Sequence, residues 1–326
     1  MGRPLRIQHP DTCYFITNRC FQERFLLTPS PEVNNLILAW LARSAKRFGV
    51  EIFFYVFMSN HFHMAVRAPR ENLHRFMAYF QSNLAKDINR QLNRTGALFS
   101  RRYSAEPILD DTAMLEKWRY TMNNPVKAGL VSHIRFWPGV SSYQAHLGDA
   151  QIDALWLDRT HLRALRRRKD HSVDDELQAQ HLIELTLTPF PALASYPPHQ
   201  RQRFLRRALK RHTRDQPPST RATPPLGAHK VRTQNPFAQP EQSARSPRPL
   251  CHTRCPLKRE TYRQHVRQVT DAYRAANAMW RQGQPSIFPP GTIPPGWTQT
   301  TNRHRDLTLV YSSTSASSVQ YTKFPR

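Results

Sequence analysis

A chain of 326 residues with 48 Lys and Arg against 23 Asp and Glu carries a formal charge of +25. The length suits one or two domains with a buried core, and the charge points to a polyanionic partner, nucleic acid before an anionic membrane. The longest apolar runs, such as 52–58, are strand-length and far short of the roughly 20 residues of a spanning helix, which excludes a transmembrane protein and leaves membrane out of the expected partners. The charge is uneven: residues 1–150 hold 19 basic and 11 acidic residues, net +8, and residues 151–326 hold 29 and 12, net +17. The first ten residues, MGRPLRIQHP, contain no apolar core of a secretory signal. Cys13, Cys20, Cys251 and Cys255 are too few for a disulfide scaffold and suit a reducing cytoplasm. Cys251 and Cys255 form a CxxxC pair with no second matching pair, so a zinc site is not expected.

In chain order, residues 12–20 alternate as a strand. Residues 31–48 place Val33, Leu36, Ile37, Trp40, Leu41 and Ala45 three and four apart, an amphipathic helix stopped by Gly49. EIFFYVFM (51–58) is aromatic and β-branched and reads as a strand; after Ser59-Asn60, HFHMAVR (61–67) reads as another. Residues 71–94 form a helix on the stripe Leu73, Phe76, Met77, Phe80, Leu84, Ile88 and Leu92. Residues 97–109 are extended, basic and aromatic. Residues 110–124 form a helix with capping chemistry at Asp110, Asp111 and Thr112, expected to end at Asn124 before Pro125. The order β-α-β-β-α-β-α favours an α+β layer of one sheet with helices against it. Beyond 150 the pattern weakens: 156–169 and 199–212 are basic and helix-like, and 213–326 holds 15 of the 27 prolines and reads as a largely disordered basic tail, except for helix-forming composition at 260–282.

Three sets of residues are candidates for chemistry. His61 and His63 flank Phe62 and, two apart on a strand, face one side. Such a pair suits metal ligation, although two half-exposed strand histidines look the same in sequence. Tyr120 and Asn124 are four apart on one helix face; a core-edge tyrosine and a capping asparagine read identically. Lys86, Arg90, Arg94, Arg101, Arg102 and Lys127, interspersed with Phe99, Tyr103 and Trp118, have the makings of a phosphate-neutralising, base-stacking DNA channel, or of an ordinary solvated surface.

Together, FMSNHFHMAV, INRQLNRTGALFSRRYSAEPI, RYTMNNPVKAGLV and FWPGVSSYQAHLG resemble successive motifs of single-tyrosine HUH transposases, the REP-associated tyrosine transposases in particular. The resemblance spans residues 8–148. It implies an RRM-like or ferredoxin-like antiparallel sheet with helices on one face and a catalytic domain over 8–148; it is silent beyond, where composition gives a basic helical extension over 149–212 and the tail over 213–326. It also implies Tyr120 as nucleophile, His61, His63 and Asn124 as metal ligands, Mg²⁺ or Mn²⁺ as cofactor, and hairpin-bearing single-stranded DNA as substrate, cut through a 5′-phosphotyrosine with a free 3′-hydroxyl. Monomer and homodimer both occur in the family. The competing readings are another HUH endonuclease (a relaxase or replication initiator), a non-catalytic DNA- or RNA-binding regulator on the same fold, and an RNA-binding domain, the last lacking the glycine-rich aromatic pattern on a central strand. The tail is expected to add sequence-independent affinity, so that a chain ending near 150 still folds and cleaves; the opposing arrangement packs 156–212 against the catalytic layer.

Overall fold

The computed structural model describes residues 5–148, 151–168, 174–215, 224–241, 249–295 and 319–321. Four antiparallel strands, β1 (Cys13–Arg19), β2 (Glu51–Phe57), β3 (His61–Arg67) and β4 (Ser104–Ile108), form a sheet in the order β2-β3-β1-β4. Three helices accompany it: α1 (Pro31–Phe48), α2 (Leu73–Gln91) and α3 (Asp111–Lys127). The chain is thus an α+β protein built on an antiparallel sheet.

Helix starts and stops follow local chemistry. The Ser30 hydroxyl accepts from the Val33 amide at 3.1 Å, Pro31 opens α1, and Gly49 closes it at φ 63°, where a Cβ is strained. Asp110 caps α3 by accepting from the Ala113 amide at 2.8 Å. Helix α3 does not end at Asn124: Pro125 lies inside it and the helix runs to Lys127. Proline there withdraws only the N–H that would meet the Thr121 carbonyl, while Ala128 N–H still reaches Asn124 O at 2.9 Å.

The sheet is covered on both faces rather than one. Tyr14, Ile16, Phe62, Met64 and Val66 point into a core with α1 and α2. Cys13, Phe15 and Ala65 point into a second core with Met114, Trp118 and Met122 of α3. A register shift between Ile52 and Phe54 lets Phe53 and Phe54, adjacent in sequence, both enter the α3 core.

The C-terminal half differs from its sequence reading. Residues 153–184 include an antiparallel pair, β5 (Asp153–Leu157) with β6 (Gln180–Glu184), and among the described residues there only Arg159–Leu165 and Asp175–Gln178 are helical. Trp156 packs edge-on against Trp40 of α1, with the Arg43 guanidinium over its ring at 4.1 Å. Phe190, Leu205, Leu209 and Val231 sit in the α3 core and Leu185 in the other. Of the two arrangements, 156–212 therefore takes the packed one. Within the stretch read as a disordered tail, residues 224–241 and 249–295 are also attached: Phe25 N–H donates to Ala238 O, Leu226 N–H to Gly129 O, and Gln8 N–H to Gly291 O. Pro256–Arg281 is one helix across the 260–282 stretch; residues 216–223, 242–248, 296–318 and 322–326 of that tail lie outside the described residues. The apolar contacts that hold these pieces lie hundreds of residues apart in places, so local composition carries no sign of them. No helix among the described residues is long and apolar enough to cross a membrane.

Candidate active site

Strand periodicity sends Phe62 wholly into the α1/α2 core and leaves His61 and His63 on the α3 face. His61 lies opposite Arg19 on β1; His63 lies between Thr17 on β1 and Val56 on β2. The two imidazole centroids are 5.0 Å apart and nearly perpendicular. His61 Nδ1 is 2.7 Å from the Asn60 side-chain oxygen. That oxygen only accepts, so Nδ1 carries the proton and the lone pair falls on Nε2. Burial pushes the His61 pKa down to about 4, assisted by Arg19. His63 is held well below the ordinary histidine range by burial, then by His61, Arg19 and Lys117. Both rings are therefore neutral near pH 7 and present lone pairs.

Asn124 reaches across from α3 with its amide nitrogen 3.1 Å from His63 Nε2. The same carboxamide turned over presents its oxygen to that point. His63 Nδ1 is buried without a hydrogen-bond partner among the described residues. Two neutral imidazoles and one amide oxygen from facing elements form a donor set that suits a divalent cation. No three His, Cys, Asp or Glu converge among the described residues; the side chain in reach of the histidine pair from α3 is the Asn124 carboxamide.

Tyr120 sits one turn before Asn124. Its ring is edge-on to His63 at 5.5 Å and to Phe15 at 6.4 Å, yet the residue is 39% exposed. A core-edge tyrosine would be buried; this one is open to solvent above the histidine pair. Two ammonium groups attend it, Lys117 Nζ at 5.3 Å and Lys127 Nζ at 5.8 Å from the ring centroid.

The fold thus brings His61, His63, Tyr120, Asn124 and Lys127 together. Arg101 and Arg102, both exposed, follow the segment in which Ser100 bonds Arg19 O and Cys20 O, at the His61 end of the sheet. Lys86, Arg90 and Arg94 are not at this site: α2 covers the opposite face. Arg90 pairs with Asp87 at 2.5 Å, and Arg94 ties Asn89 to Ala97 at the helix end. These arginines hold structure on that face, which the helical spacing alone does not disclose.

Sequence reasoning passed over four residues here. Asn60 fixes the His61 tautomer and adjoins the triplet; Lys117 is one turn from Tyr120; both were legible from spacing. Glu106, opposite Phe15 on β4, and His252, 5.5 Å from the Phe15 ring, carry no local signal because the pairing that unites them spans 146 residues.

Residues 14–121 match the family model described as transposase IS200 like; the match includes both histidines and Tyr120 and stops short of Asn124. No curated protein matches the chain. Among solved structures, a REP-associated tyrosine transposase bound to a REP hairpin is similar at 16% identity and a TM-score of 0.40, over 45% of this chain and 86% of that one. A transposase from Deinococcus radiodurans R1 is similar at 16% identity and a TM-score of 0.27, over 38% of this chain and 95% of that one.

Proposed function

We propose that the chain, whose residues 14–121 match the IS200-like transposase model, cuts and rejoins single-stranded DNA by transesterification, with Tyr120 as nucleophile. The observation that carries this reading is the solvent-open Tyr120 ring standing 5.5 Å from His63, with Asn124 in reach of the same imidazole. A tyrosine whose ring packs edge-on to one of two adjacent neutral imidazoles is well placed for a phosphate bound there.

The residues divide the work. His61, His63 and Asn124 would hold Mg²⁺ or Mn²⁺, which when bound supplies a Lewis-acid contact to a non-bridging oxygen of the scissile phosphate. Asn60 keeps His61 in the tautomer that leaves Nε2 free. Arg19, in register with His61, and the exposed Lys127 give the DNA backbone positive partners on either side. The Tyr120 oxygen attacks phosphorus in line with the departing 3′-oxygen, which takes up a proton and leaves as a hydroxyl. The ammonium groups of Lys117 and Lys127 beside the ring offset negative charge as it develops at the transferring phosphate. The phosphotyrosine retains the bond energy of the phosphodiester, and a second 3′-hydroxyl reverses the step.

The test is incubation with a pool of labelled single strands bearing hairpins, with Mn²⁺ or Mg²⁺. A denaturant-resistant protein–DNA adduct that disappears in EDTA is expected. Binding without an adduct under every metal would make the chain a DNA-binding regulator instead.

A further inference from the structure

Residues 249–255 belong, by sequence, to the basic tail. In the fold they lie at the outer edge of β4: His252 N–H donates to Pro107 O at 2.8 Å, and Leu109 N–H to His252 O at 3.0 Å, a single parallel bridge on the free edge of the sheet. Two side-chain clips secure it. Thr253 Oγ1 donates to the α3-capping Asp110 at 2.5 Å, and Arg254 pairs with Glu116 of α3.

This edge segment covers Glu106. The Glu106 carboxylate is 7% exposed and lies 3.5 Å from His252 Nε2, with the Ser104 hydroxyl donating to its other oxygen. A carboxylate taken out of water needs a cation. His252 is itself buried, and burial lowers its pKa, so it is a weak source of charge. A second cation on this face is Lys117. Its Nζ is 5.2 Å from the centroid of Phe15, the register partner of Glu106, and 5.3 Å from that of Tyr120. Burial lowers the Lys117 pKa, and Glu106 opposes that, as does Glu116. Phe15 is the shared floor: its ring touches His63, Tyr120 and His252.

We propose that Lys117 is a positioning residue for Tyr120, that Glu106, the register partner of the Phe15 ring on which Lys117 rests, helps hold it in place, and that His252, delivered by the C-terminal segment, seals Glu106 from solvent. The inference rests on Tyr120 being the nucleophile. In the transfer, the Tyr120 oxygen–phosphorus bond forms, the phosphorus–O3′ bond breaks and the phenolic proton ends on O3′. Lys117 stays protonated throughout, holds the ring over His63 and offsets negative charge at the phenolic end. The sealed edge matters because charge–charge interactions strengthen as water is excluded. The C-terminal segment is on this account part of the catalytic apparatus rather than an affinity tail.

The experiment measures single-turnover adduct formation and DNA affinity on the full chain. Lys117→Met is expected to slow adduct formation on the order of 10²-fold with little change in affinity, as for loss of one preorganised charge partner, and Lys117→Arg to restore most of the rate. Glu106→Gln and His252→Gln are expected to slow the step about tenfold each, and to have no further effect in the Lys117→Met background, as coupled residues do. If both glutamine variants keep the full rate, or multiply the Lys117→Met defect in full, the proposal fails. Should Glu106→Gln not fold, His252→Gln with and without Lys117→Met decides alone. Absence of any adduct from the parent chain would instead count against Tyr120 chemistry, a separate failure.

Discussion

The two faces of the central sheet are built from alternate residues of the same strands and have opposite characters. On the α1/α2 face, β3 contributes Phe62, Met64 and Val66, all fully buried in an apolar core. On the α3 face the same strand contributes His61 and His63, with Glu106 and Lys117 near by and an exposed tyrosine above. Both faces remove hydrocarbon from water; the α3 face also keeps neutral imidazoles and charged groups in a partly dehydrated layer, where lone pairs and charges have most effect. A strand with a period of two serves both ends at once, so substitutions one residue apart should separate stability from activity.

The largest contrast is expected at 62 and 63. His61→Ala and His63→Ala should each abolish adduct formation while melting temperature and DNA binding change little; Asn124→Ala should retain part of the activity, since water replaces an amide ligand. Full activity of the double histidine variant in excess EDTA would remove the site from consideration. Phe62→Ala, between them, should cost about 3–5 kcal/mol of stability, measured by denaturant unfolding, and leave the chemistry of the surviving folded fraction intact.

A chain cut after residue 148 is the next test. Loss of Leu185, Phe190, Leu205, Leu209 and Val231 strips apolar cover from both cores, so the shortened protein should be poorly soluble or melt well below the full chain. A soluble, fully active fragment would mean that the two faces are self-sufficient.

The smallest effect concerns acid. His146, packed against Trp118 and Phe190, is pushed by burial down to about 4. Between that value and the unfolded 6.5 the unfolded chain binds a proton that the folded chain does not. Stability is therefore full above pH 6.5 and declines as the pH falls toward 4. His146→Leu should flatten that limb in a melting series; an unchanged slope would assign the acid sensitivity elsewhere.

What was legible in the sequence is what short range determines. Periodicity marks β1, α1, β2, β3 and α2 to within a few residues, and the Asp110 cap marks the start of α3. The α3 end was misplaced because proline was read as a stop, whereas one missing N–H in the last turn is tolerated. His61 with His63, and Tyr120 with Asn124, share a face by spacing alone, but only the fold sets one pair over the other. Composition is misleading beyond 150: proline and arginine lower the local hydrophobicity of 224–295, yet Val231 and the backbone of His252 find partners in the N-terminal half. The face of α2 likewise does not say which side of the sheet it will cover, so Lys86, Arg90 and Arg94 fell on the far side from Tyr120.

The most direct measurement is to digest the covalent adduct formed on labelled single-stranded DNA and locate the nucleotide by mass spectrometry, alongside the Tyr120→Phe variant. The expected result is a nucleotide on the peptide containing Tyr120, and a folded, DNA-binding Tyr120→Phe protein that forms no adduct. A nucleotide on another tyrosine such as Tyr103, or an undiminished adduct from Tyr120→Phe, would contradict the assignment of this face as the active site.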